Sequence, residues 1–133
     1  MKKTVTLGLA LGFIVVGMAK TSLAADFING SFEIGGLSGW ESVTTDFGSV
    51  DAVPVADGYM PTDGQYFAKL TSDSSIMQNL SWSSGDVLKF SWNFNANDYM
   101  PFDDYSILSI KNSTGSEIDR VTLSSVAKTG DYN

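Results

Sequence analysis

Residues 86–96, DVLKFSWNFNA, alternate strictly between apolar and polar side chains. Leu88, Phe90, Trp92, Phe94 and Ala96 fall on one side of an extended backbone, and Lys89, Ser91, Asn93 and Asn95 on the other. A period of two with large apolar groups predicts a half-buried strand, and burying each of those large side chains contributes about 2 kcal/mol. Shorter apolar or alternating runs, broken by Gly, Asp, Asn and Ser, predict six more strands over residues 40–45, 49–55, 65–70, 75–82, 105–111 and 117–126. No window keeps a helical period for three turns. The SSGD turn makes 75–82 and 86–96 a hairpin, and NSTGSE, from Asn112 to Glu117, joins the next two strands in the same way. Short strands spaced roughly 8 to 12 residues apart predict an all-β domain, a sandwich of two antiparallel sheets.

The first residues follow a different pattern. Lys2 and Lys3 precede an apolar run from Val5 to Met18, and Ser22-Leu23-Ala24 places small residues at the two positions a signal peptidase inspects. The run is shorter than the ~20 residues of a membrane-spanning helix. Residues 1–24 are therefore expected to be a signal peptide, cut after Ala24 with Ala25 as the alternative, and residues 25–133 a single exported domain. The mature part is expected to be secreted or held at the cell surface without entering the membrane.

Composition narrows the chemistry further. Loss of Lys2, Lys3 and Lys20 with the leader moves the formal net charge from −7 to −10, a surface that repels nucleic acid and anionic lipid. The chain has neither cysteine nor histidine. That excludes disulfides, the Ser-His-Asp triad, the Cys-His pair and His- or Cys-based zinc sites. Asn29, Asn79 and Asn112 each begin an Asn-x-Ser/Thr sequon, which matters only in a glycosylating host.

The order NGSFEIGGLSGW, DGQYFAKL, SIMQNLSWSSGDVLKFSWNF and NDYMPFDDYSILSI resembles the galactose-binding-like jelly-roll domains of exported bacterial surface proteins. That group includes carbohydrate-binding modules and many proteins with a PEP-CTERM sorting tail. The resemblance covers essentially the whole mature chain. It implies that the Asn-Gly-x-Phe-Glu opening is the first strand and that Gly39-Trp40 leads into the second. It also implies that Gln78 is a structural hydrogen-bonding residue, and that Glu33 helps hold a structural Ca²⁺ with an acid from a closing strand. Gly35, Gly36 and Gly39 would let the backbone turn tightly, with Trp40 packed beneath. Related domains run on past TGDY into further strands, so the resemblance implies an incomplete C-terminus and an exposed sheet edge.

Candidate sites follow from residue chemistry. Sugars are bound by flat aromatic faces with amide and carboxylate partners, which singles out Tyr59, Asn97, Tyr99 and Phe102 in predicted loops. Trp40, Phe90, Trp92 and Phe94 are expected in the core instead. Ca²⁺ takes roughly six to eight oxygens, and Asp98, Asp103 and Asp104, with carbonyls around Pro101, are the candidate metal ligands beside Glu33. A glycosidase needs two carboxylates ~5 to 10 Å apart, and no pair stands out among Glu33, Glu41, Asp103 and Asp104. The expectation is a non-catalytic module binding polysaccharide or a cell-surface glycan. The alternatives are a purely structural surface or biofilm-matrix domain and, third, a fragment of a glycan-active enzyme.

Overall fold

The computed structural model describes residues 2–10, 27–82, 85–96 and 98–129, the first of these as backbone. Its strands are β1 (Lys2–Ala10), β2 (Glu41–Thr44), β3 (Ser49–Val53), β4 (Phe67–Thr71), β5 (Ser74–Ser81), β6 (Tyr105–Lys111) and β7 (Glu117–Ser125), followed by a four-residue helix, α1 (Val126–Thr129). The protein is all-β, in small antiparallel sheets. One sheet has five strands in the order β2-β5-β1-β6-β7, and β3 pairs with β4 in the other.

Six of the elements lie where alternation and turn residues placed them. In β5 the even positions Ser74, Ile76, Gln78 and Leu80 are buried while the odd ones are partly or fully exposed, the signature of a strand with one face on a core. Between β6 and β7, Asn112 Oδ1 accepts hydrogen bonds from the backbone amides of Thr114 (3.0 Å) and Ser116 (3.0 Å), and Gly115 takes φ +84° to close the turn. The core gathers Phe32, Ala68, Leu70 and Ile76, with Val50, Ala52, Leu108 and Leu123 packed around them. Apolar side chains of β3 and β4 thus meet those of β5, β6 and β7.

Two expectations are corrected. Residues 86–96, the strongest alternation in the chain, enter neither sheet as a strand. The position beside β5 and β6 that their hairpin would fill is held by β1, whose Leu7 is the register partner of both Ile76 and Leu108. Without that strand, Phe94 is buried and Phe90 packs on the core, but Trp92 is 39% exposed rather than internal. The opening Asn-Gly-x-Phe-Glu is the second correction: residues 28–31 form turns, not a strand. Asn29 and Phe32 both take positive φ there, +52° and +62°, a conformation no ladder accommodates.

Of the expected leader, Lys2–Ala10 is therefore the central strand of the larger sheet, while the Ser22–Ala24 motif lies outside the described residues. No helix among the described residues is long and apolar enough to cross a membrane.

Candidate functional site

The glycine-rich opening is held by side chains that reach back to backbone. Gln78, 5% exposed, donates from Nε2 to the carbonyls of Ile28 (2.9 Å) and Gly39 (2.7 Å), and its Oε1 accepts from the Ile28 amide (2.8 Å). Asn29 Nδ2 donates to the carbonyls of Gly36 (2.7 Å) and Ser38 (3.2 Å). Trp40 donates from Nε1 to the Asn29 carbonyl (3.0 Å) and stacks on Phe32 at 5.4 Å and Phe27 at 5.7 Å. Gly39 is required where it stands, because at φ +88° a Cβ would come within 2.5 Å of Ile28 Cγ2. Gly36 has open space around it and no positive φ, so the tight turning belongs to Gly35 and Gly39.

Glu33 sits in the same turn. Its carboxylate accepts from the Gln65 amide at 2.9 Å to each oxygen and from the Tyr66 amide at 3.1 Å, clamping the approach to β4. A Cβ at Gly64 would run into that carboxylate, so the clamp and the glycine require each other. Glu33 is placed well away in sequence from the acidic loop, and its oxygens already serve backbone amides.

The loop before β6 gathers the other candidates. Tyr99 and Phe102 meet edge to face with ring centroids 5.6 Å apart, and each is 56% exposed. The Phe102 amide donates to the Tyr99 carbonyl (2.9 Å) across the Met100–Pro101 peptide, which is cis, and this tight turn brings the two rings together. Asp98 Oδ1 accepts from the Tyr99 amide (2.8 Å). Asp103 Oδ1 accepts from the Ala127 amide (2.9 Å), and the Asp104 carbonyl accepts from the Val126 amide (2.9 Å), so the loop also fixes the start of α1.

Asp104 is the electrostatic centre of this end. Burial of its carboxyl, reinforced by the negative charges of Asp98, Asp103 and Asp73, pushes its pKa from 3.8 up to about 6. Asp73 lies on the turn between β4 and β5 and carries no local motif; only the sheet brings it to the loop. Among the described residues no group of three or more acidic side chains is positioned to hold a metal ion. The candidate ligands are thus neighbours in charge without forming a converged cage.

Tyr59 comes from a separate turn after β3. Asp57 and Gly58 take φ +49° and +83°, and Ala56 and Tyr59 exchange backbone hydrogen bonds of 3.0 and 2.8 Å, a two-residue hairpin turn of the kind Asp-Gly favours. The Asp-Gly pair between apolar positions is a signal the strand reading passed over. Tyr59 is 41% exposed. Asn97 lies outside the described residues. Comparison with known proteins returns no matching family model, curated protein or solved structure.

Proposed function

We propose that the chain is a non-catalytic, exported jelly-roll β-sandwich that binds polysaccharide or cell-surface glycan through loop aromatics. The observation that carries this reading is the Tyr99–Phe102 pair, two aromatic rings fixed at right angles, half exposed, beside Asp98 and Asp103. Pyranose rings stack on such faces, while carboxylates and amides at the rim accept and donate hydrogen bonds to hydroxyls. Tyr59, 41% exposed on the turn after β3, offers a further aromatic face. The leader-like first residues, Lys2-Lys3 followed by an apolar run, support the exported part of this reading.

A glycan array probed with the full chain, with and without Ca²⁺, tests this reading. Binding above background that falls about tenfold in Tyr99→Ala and in Phe102→Ala, with the melting temperature unchanged, supports it; that loss, about 1.4 kcal/mol, is the size of a stacked aromatic contact. Absence of binding under both conditions favours the second reading, a structural surface or matrix domain. Its specific support is that Glu33, Gln78 and Asp103 all serve backbone groups. Release of reducing sugar ends would instead revive the enzyme reading.

Calcium belongs to the proposal as a structural ion at the Asp98, Asp103 and Asp104 end, where a hard cation would neutralise crowded carboxylates. Glu33 would join it only by giving up its amide partners. The expected signature is a Ca²⁺-dependent rise in melting temperature that is larger at pH 7 than at pH 5, because Asp104 must lose its proton to ligate. An equal shift at both values, or none, removes the ion from the scheme.

A further inference from the structure

The central position of the larger sheet is open to two claimants. β5 and β6 are each antiparallel to β1, so they run parallel to one another, and the slot between them holds a strand antiparallel to both. The chain itself supplies one. Residues 86–96 leave β5 by a short turn, lead into β6, and would run opposite to both.

The register closes on both sides. Setting Leu88 against Leu80, Phe90 against Gln78, Trp92 against Ile76 and Phe94 against Ser74 puts these four large apolar residues on the buried face of β5. It leaves a three-residue hairpin loop ending in Gly85, which already has φ +94°. On the other flank, the positions now paired with Leu7 and Leu9 of β1 place Trp92 against Leu108 and Phe94 against Ser106. Ser74 and Ser106 are both buried and small, leaving room for a phenylalanine between them.

The present arrangement leaves 86–96 with unmet requirements. Trp92 is exposed, and the buried Asn93 Nδ2 has no hydrogen-bond partner. In the proposed register Asn93 lies on the opposite, more exposed face with Ser75, and Trp92 goes inside.

We propose that Lys2–Ala10 is a placeholder strand: it occupies the central slot while the leader is attached, and after leader removal residues 86–96 move into that slot to complete the mature sheet. The proposal rests on reading residues 1–24 as a removable leader. Removal strips β5 and β6 of a whole row of backbone partners, and such rows are costly to leave unpaired. The segment already tethered between the two strands is the nearest replacement, with only its two connecting loops to rearrange.

The absence of cysteine makes the exchange directly readable. A specific protease site is inserted after Ala24 in the full chain, in two double variants: Thr6→Cys with Met77→Cys, and Ser91→Cys with Met77→Cys. Thr6 and Met77 are register partners now, and Ser91 and Met77 become so after exchange. Cross-strand partners lie about 4.5 to 5.5 Å apart at Cα, within disulfide range. Before cutting, the first pair is expected to oxidise and the second to remain reduced. After cutting and gel filtration, the second pair should form within one chain with a yield about tenfold higher, the distance criterion now being met. As a measure independent of the cysteines, acrylamide quenching of tryptophan emission should fall on cutting in the natural sequence and stay constant in Trp92→Phe.

Equal oxidation of the second pair before cutting, retention of the excised peptide through gel filtration by the cut chain without introduced cysteines, or a disulfide joining two chains would each overturn the proposal. The N-terminus of the exported protein, read by mass spectrometry, tests the leader separately. A chain that keeps residues 1–24 in the cell refutes the leader reading, while the cut-chain experiment still decides whether the strands exchange.

Discussion

Gln78 shows how much of the opening turn depends on one side chain. Its amide satisfies three backbone groups contributed by residues 39 and 50 positions away, and its place inside β5 is what brings them together. Gln78→Ala leaves those groups unpaired beside the core, and the expected loss is about 2 to 4 kcal/mol of unfolding free energy by chemical denaturation. Gly39→Ala adds a Cβ where Ile28 already stands and where φ favours glycine, with an expected loss of roughly 1 to 3 kcal/mol. Asp104 works in the opposite sense. Because its folded pKa, about 6, lies above the ordinary 3.8, the folded chain holds the proton more tightly than the unfolded one. Stability therefore rises as pH falls from 7 through 6 toward 4, and the cost of the ionised form is fully present above about 6. Asp104→Asn is expected to raise the melting temperature at pH 7 by roughly 2 to 5 °C and to flatten its dependence across that window, as thermal melts at several pH values would show.

At the scale of elements, what sequence could reveal divides by the range of the forces involved. β2 to β7 were legible because alternation, turn residues and burial agree locally: the Asn112 turn and the even-numbered face of β5 are written in a few adjacent residues. Residues 86–96 were not legible for the opposite reason. Their alternation is real, but a strand needs a neighbour, and the neighbouring position is held by a segment some eighty residues earlier. The opening turn was half legible. Its glycines signalled irregular backbone, yet the positive φ at Asn29 and Phe32 is imposed by the packing of Trp40 and by Gln78, which no local window contains. In the same way the aromatic and acidic candidates of the 98–104 loop could be listed from sequence, whereas the contribution of Asp73 to the charge around Asp104 could not. Glu33 was singled out as a Ca²⁺ ligand on the strength of a resemblance, whereas the structure gives its carboxylate partners in the backbone of Gln65 and Tyr66. Glu33→Gln keeps the shape but replaces one acceptor oxygen by a donor; the expected result is a loss of about 1 to 2 kcal/mol and faster amide exchange at Gln65 and Tyr66.

Across the whole molecule, the turns differ in what they expose. The turn around Glu33 and Gln78 is tied down by hydrogen bonds, while the Tyr59 turn and the Tyr99–Phe102 loop carry exposed rings. The outermost strands of the five-stranded sheet bear on how the protein behaves in concentrated surroundings. β2 is only four residues long, and β7 departs from regular pairing at two points, between Ser106 and Ile107 and between Ile110 and Lys111 of its neighbour, with Glu117, Asp119 and Arg120 exposed along it. Short length, bulges and charge are the devices by which natural sheets discourage foreign strands from adding on. Lateral stacking of one molecule on the next is thus disfavoured at both rims of this sheet, so many copies can be crowded together without fusing into fibres.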